Sequence, residues 1–327
     1  MHSLTPSHVL IPFAACSAEA WLPALQTLPS GSDRPLSQLL QGMQLMQTDT
    51  RPAESLSPPH ERALAQALGL ASTDTPDGLL PWAARDAAQH LPASAGHADK
   101  AWAWITPCHW AMGHLHATLS DPAALNLDEE ESRTLLALLQ PYFETDGLTL
   151  HYLSPERWLA EGELLRDLPT ASLDRVLARN VDAWLPDAPQ ARPLRRLQNE
   201  VQMLLYIHPF NDARELKRQL PVNSFWISGT GPLPATSKTA PPGISAPRSL
   251  ARAVFKEDWP AYAQAWQALN VSELTQLLAR QRAGETVRLT LCGECSAQTF
   301  ETRRPSLKTR ISSLFSPLRT LDVLKQL

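Results

Sequence analysis

Residues 101–160 read AWAWITPCHWAMGHLHATLSDPAALNLDEEESRTLLALLQPYFETDGLTLHYLSPERWLA, and this stretch decides the fold class. Its Trp-rich and apolar runs at 102–105 and 110–116 predict two strands around a turn at Thr106-Pro107. Asn126 or Asp128 then caps a helix running to about Gln140. Acids fill its first turn, where the helix dipole is positive, and Leu135, Leu136, Leu138 and Leu139 lie inside. Pro141 stands just beyond that helix, and Asp146-Gly147 turns the chain into a third strand, LTLHYL at 148–153. Strand, strand, helix, strand is an α+β arrangement.

Upstream, the apolar run at 9–16 reads as a buried strand, interrupted by Pro12. Helical spacing follows at Leu36-Leu39-Leu40-Met43 and Leu64-Ala67-Leu68, with proline-rich joints between the helices. Downstream, Pro193 suits the first turn of a helix over 192–207, whose Leu194, Leu197, Val201, Leu204 and Leu205 share one face. His208-Pro209 closes it, because the residue before a proline avoids helical geometry. Asn211 is expected to cap a shorter helix through Arg218, and 222–228 is strand-like, leaving through Gly229-Thr230-Gly231. Five prolines at 232–247 mark a loop or linker. Helices around 259–269 and 272–282 and a strand pair near 287–302 complete the chain. The expected fold is a mixed sheet with flanking helices, a helix-rich N-terminal region and a small C-terminal α/β lobe. The expected divisions are 1–231, 232–248 and 249–327.

Composition narrows the function. The 327 residues hold 29 Pro against 13 Gly, which argues against glycine-rich phosphate loops as the main device. Lys+Arg 29 against Asp+Glu 33 gives a net charge of -4, without the footprint of a general nucleic-acid binder. Arg303, Arg304, Lys308, Arg310 and Arg319 make the C-terminal tail locally basic, and it reads as solvated because no aromatic platform interleaves the charges. No apolar run approaches the roughly 18 residues of a membrane span, and no basic segment precedes 9–16 as in a signal peptide. A cytoplasmic location is expected, with neither membrane nor nucleic acid as partner. Cys292 and Cys295 form a CxxC without a second ligand pair for zinc, so the structural reading is favoured over the redox one.

Signatures of P-loops, serine-hydrolase elbows and HExxH metal sites are absent from the sequence. His114 and His116, two apart on an expected strand, would face one side with His109 nearby. Without a matching carboxylate they read as hydrogen-bonded or exposed residues rather than metal ligands. The dense polar segment is 197–231. Its His208, Asn211 and Arg214 lie near one helix junction, and Asn223, Trp226, Ser228, Gly229 and Gly231 surround a strand and its exit. Two readings stand. Backbone N–H groups with an arginine can hold a small anion there; alternatively Asn211 is a cap, Arg214 a surface charge and Trp226 core.

HPFNDAR at 208–214, followed by PVNSFWISGTGPLP at 221–234, resembles the RpfE-type regulatory protein family of proteobacteria. The resemblance extends over most of the chain through ITPCHW at 105–110, LNLDEEES at 125–132, GELLRDLPTASLDRV at 162–176 and LTLCGE at 289–294. It implies a non-catalytic regulatory protein that acts by binding, either a small phosphorylated or carboxylated metabolite or a protein partner. The eight residues of the 208–231 segment would then line the ligand site. The part from 102 to 234 also resembles archaeal-type cofactor-independent phosphoglycerate mutases. Those enzymes need a serine nucleophile and two divalent metals on Asp and His ligands that include an Asp-His dipeptide, and no Asp-His pair occurs here. No cofactor is therefore expected; a divalent metal belongs only to the alternative, a mutase-like enzyme. A third expectation is an interaction scaffold using 232–247 or the basic tail.

Overall fold

The computed structural model describes residues 7–29, 31, 33–92, 99–234, 243–303 and 320–327. In chain order the first elements are β1 (His8–Ile11), α1 (Trp21–Gln26), α2 (Arg34–Gln41), β2 (Met43–Thr50), α3 (Pro59–Ala67) and α4 (Trp82–His90). Next come β3 (Ala101–Cys108), β4 (Trp110–Met112), β5 (Ala117–Leu119), α5 (Glu129–Thr145), β6 (Thr149–Ser154) and β7 (Arg157–Glu161). They are followed by α6 (Leu173–Val176), α7 (Arg192–Tyr206), α8 (Pro209–Leu216), β8 (Ser224–Pro232) and β9 (Ile244–Ser245). The last are α9 (Ser249–Phe255), α10 (Trp259–Val271), α11 (Glu273–Arg282), β10 (Arg288–Cys292), β11 (Ser296–Thr302) and α12 (Thr320–Leu324). The fold is α+β, as expected.

The chain forms two compact units; their boundary near 237 falls inside the expected 232–248 segment, but one unit takes in both ends of the chain. The first unit combines Met1–Glu54, Pro58–Leu68 and Lys238–Leu327; the second is Ser55–Ser57 with Gly69–Ser237. The C-terminal strands are thus not a lobe of their own. They share one five-stranded sheet, ordered β2-β11-β10-β1-β9, with the first strand of the chain. β1 runs parallel to both β10 and β9, whereas β10–β11 and β11–β2 are antiparallel. A strand covered on both faces reads as continuous apolar sequence, and HVLI of β1 is buried throughout.

Alternation along β1 sends its side chains to two places. Val9 and Ile11 join Leu289, Leu291 and Phe300 in the main core with Leu36, Leu39, Leu40, Tyr262, Trp266 and Leu277 of α2, α10 and α11. Leu10 points the other way, to Cys292 and Ala297 and to Ala63 and Leu64 of α3. His8 shares that second face. Each fully buried Leu or Ile here contributes roughly 1.5–3 kcal/mol of burial free energy. Asp258 accepts the Ala261 N–H at 2.9 Å and Pro260 follows it, so the start of α10 is set by its own sequence.

The second unit carries an antiparallel sheet ordered β6-β7-β3-β8 and the small hairpin β4-β5. α5 and α7 cover one face, with Leu135, Leu139 and Phe143 meeting Leu197, Val201, Leu205, Trp158 and Phe225. α4 packs Ala83, Ala84 and Ala87 against Trp102 and Leu159 on the other. Asp128 caps α5 by accepting the Glu131 N–H at 2.8 Å, but the helix runs through Pro141 instead of ending before it. Leu135, Leu139 and Phe143 form one four-residue stripe, and burying Phe143 offsets the proline's lost hydrogen bond.

Three other expectations are corrected. β3 continues through Pro107, which pairs with Phe225 beyond the end of the β3–β7 ladder. His114 and His116 stand in the exposed turn between β4 and β5, where Gly113 N–H bonds the His116 carbonyl at 3.0 Å, and so do not share a strand face. Gly229-Thr230-Gly231 is not an exit turn but lies inside β8, at a register shift opposite 102–104. Of the expected 232–248 segment, residues 235–242 lie outside the described residues, as do Arg304, Lys308, Arg310 and Arg319 of the basic tail.

Gly229 has φ +66, and a Cβ there would stand 3.0 Å from Trp104 and 3.2 Å from Trp82. Gly229→Ala is expected to destabilise the protein by about 2 kcal/mol, from backbone strain and crowding of the Trp104 indole and the Trp82 Cβ. Urea unfolding followed by tryptophan fluorescence checks this; an unchanged midpoint contradicts it.

Candidate functional site

The eight residues expected to hold a ligand all lie in the second unit, flanking α8 and β8, and most have partners within the protein. His208 caps α8, its Nδ1 accepting the Phe210 N–H at 3.1 Å. Asn211 is therefore not the cap. It is buried inside the helix, donating to the Leu205 and Val222 carbonyls at 2.8 and 2.7 Å and accepting the Val222 N–H at 3.0 Å. Arg214 is 1% exposed and not a surface charge. Its Nε donates to the Leu220 carbonyl at 3.0 Å, Nη1 to Glu131 at 2.7 Å and Nη2 to the Leu125 carbonyl. The guanidinium expected to hold a ligand's anion holds Glu131. Asn223 pairs with both the N–H and the carbonyl of Trp110, at 2.7 and 3.0 Å. Trp226 donates its indole N–H to the Ala171 carbonyl at 3.0 Å. Ser228 is buried opposite Trp104, and Gly231 has φ +122.

A different constellation emerges in the first unit from strand register. His8 pairs with Arg288, Thr290 with Thr299, Ala297 with Asp49 and Thr299 with Gln47. With side chains alternating, His8, Arg288, Thr290, Thr299, Gln47 and Asp49 all face α3. The helix offers Ala63 and Ala67 there, one turn apart, and small side chains leave space. The result is a cavity of about 140 Å³ lined by His8, Gln47, Asp49, Ala63, Gln66, Ala67, Arg288, Ala297 and Thr299.

Polar groups line that cavity in a connected order. His8 Nε2 lies 2.8 Å from Thr290 Oγ1, which lies 2.9 Å from Thr299 Oγ1 at the cavity wall. Proton direction along this relay follows the histidine tautomer. Burial first, and Arg288 second, lower the His8 pKa to about 4, so its ring is neutral at pH 7. Arg288 donates Nε–H to Glu301 at 2.7 Å. Asp49 accepts from Arg62 Nε at 2.6 Å, and Gln47 donates to the Gln66 side-chain Oε1 at 3.2 Å. Such a wall can accept hydroxyl and amide hydrogens and present a guanidinium to an anion. On the same sheet face Cys292 is buried and its thiol is pushed well above its usual range, which holds it protonated. Cys292 and Cys295 are both free cysteines.

Sequence reading missed this site. The only local trace is a polar residue set into otherwise apolar strands, His8 before VLI and Thr290 within LTL. Their contact spans 282 positions.

No family model and no curated protein matches the chain. Among solved structures, it is similar to the cofactor-independent phosphoglycerate mutase from Thermoplasma acidophilum DSM 1728. Identity is 13%, covering 98% of this chain and 99% of that one, with a TM-score of 0.36. It is also similar to the PH0037 protein from Pyrococcus horikoshii, at 12% identity over 91% of this chain and 88% of that one, with a TM-score of 0.46. At those values neither likeness speaks to chemistry.

Two outcomes are expected from these contacts. Arg214→Ala should destabilise the protein by about 3 kcal/mol without any ligand present, since it leaves two carbonyls and a carboxylate short of a buried donor. Chemical unfolding measures this, and a change within experimental error contradicts it. For His8, the folded pKa near 4 lies below the unfolded value of 6.5. Its contribution is therefore present above pH 6.5 and is lost as pH falls toward 4. Between pH 7 and pH 5 the wild type should lose about 2 kcal/mol more stability than His8→Gln. Parallel pH profiles for the two proteins would contradict the buried, neutral ring.

Proposed function

We propose that this chain is a non-catalytic regulatory protein that binds one small polar metabolite in the cavity between α3 and the first unit's sheet. A carboxylate or phosphate on the metabolite meets the Arg288 guanidinium alongside its Glu301 partner, while its hydroxyl groups meet Thr299, Asp49 and the Gln47–Gln66 pair. The observation that carries this reading is the His8–Thr290–Thr299 relay ending at an open cavity of mixed polar and apolar lining. The regulatory role is the one implied by the resemblance to RpfE-type proteins. No helix among the described residues is long and apolar enough to cross a membrane.

Isothermal titration with 3-phosphoglycerate, glycerate and inorganic phosphate tests the reading on the wild type, Ala63→Leu and Arg288→Ala. Leucine at 63 fills the cavity; alanine at 288 removes the guanidinium. The wild type is expected to bind at least one of the three probes, with affinity reduced at least about tenfold, or 1.4 kcal/mol, in each variant. No binding to any probe, or equal affinity in Ala63→Leu, contradicts the assignment. Isomerisation of 3-phosphoglycerate that a chelator abolishes would contradict the non-catalytic part.

A further inference from the structure

The solvent side of α7 carries Arg192, Arg195, Asn199, Met203 and Tyr206, spaced three, four, four and three residues apart. At 100° per residue they fall within about 40° of one line along the helix. All five are exposed, Met203 at 74% and Tyr206 at 88%, and the neighbouring Ile207 is 76% exposed. Large apolar and aromatic side chains gathered at one helix end are characteristic of interfaces rather than of isolated surfaces. The other end of the same stripe is basic.

The spacing is symmetric about Asn199. Arg192 and Tyr206 each stand seven residues from it, and Arg195 and Met203 each stand four. Two copies of the helix laid antiparallel across a two-fold axis at Asn199 therefore set Arg192 opposite Tyr206, Arg195 opposite Met203 and Asn199 opposite itself. A parallel arrangement would set arginine on arginine.

We propose that α7 is the self-association face of this protein, pairing antiparallel with α7 of a second copy. Arg192 lies over the ring of the partner's Tyr206, a cation–π contact. The aliphatic stem of Arg195 covers the partner's Met203. The two Asn199 amides hydrogen-bond on the axis, where a buried asparagine fixes register. Arg195 already donates Nε–H to the Pro186 carbonyl at 2.7 Å, so it loses less freedom on docking. Arg196, beside the stripe, pairs with Asp146 and with Glu200, which limits repulsion across the axis. An acidic peptide would suit the arginine end and leave Met203 and Tyr206 uncovered, whereas a second copy suits both. The stripe is about 21 Å long, so the interface is small and the dimer weak, with dissociation in the micromolar range or above.

Sedimentation velocity on the full chain up to roughly 0.5 mM tests this, a range that populates such a dimer. The dimer fraction should rise with concentration in the wild type. The double variant Met203→Arg/Tyr206→Arg should be monomeric throughout, because it sets arginine against arginine. Adding Arg192→Glu and Arg195→Glu to it should restore the dimer. Circular dichroism on each exposed-residue variant confirms an unchanged fold. A wild type that stays monomeric overturns the proposal, as does a dimer that survives the two arginines. Loss without restoration overturns the antiparallel pairing.

Discussion

The parallel pairing of β1 with β10 is the constraint on which the first unit depends. It joins His8–Ile11 to Arg288–Leu291 across nearly the full length of the chain, and the whole second unit is inserted between its two halves. Loop closure costs rise only slowly with length, so burial of β1 on both faces can offset the closure of so large an insertion. Everything on the α3 face follows from the register of that pairing. A one-residue slip of β1 would turn His8 into the main core, away from Thr290, and bring Val9 out toward α3.

The second unit uses its polar side chains differently. Asn211 replaces backbone partners between α7, α8 and the approach to β8, Asn223 presents both edges of its amide to Trp110, and Arg214 ties α8 to α5 through Glu131. These groups look like a binding cluster in the sequence because they are polar, close together and placed at element ends. In the fold they occupy those ends because helix and strand termini leave backbone groups in need of partners. The exposed stripe of α7 lies on the outer face of that scaffold, with Arg195 held by the Pro186 carbonyl.

Much of the architecture was legible from local pattern. The stripe Leu194, Leu197, Val201 and Leu205 announced α7, and Asp128 announced the start of α5. What failed did so for tertiary reasons. Pro141 marked a helix end by local rules, yet Phe143 continued the buried stripe and carried the helix to Thr145. Gly229-Thr230-Gly231 looked like an exit turn, but Thr230 reaches the Gly78 and Leu168 carbonyls and holds that segment inside the strand. The cavity under α3 could not be read locally, because its wall comes from β1, β2, α3, β10 and β11. The proline-rich segment at 232–248 suggested a boundary, and the second unit does end inside it at Ser237; what local pattern did not show is that the chain beyond it joins the sheet of the first residues.

The central claim is that β1–β10 pairing buries His8 as a neutral ring at the head of a hydroxyl relay. NMR titration of the His8 imidazole in the full chain tests it most directly. The expected result is a midpoint near pH 4, with no protonation as pH falls through 6.5. A midpoint at the ordinary histidine value of about 6.5 would place the ring in water and contradict both the relay and the site built on it.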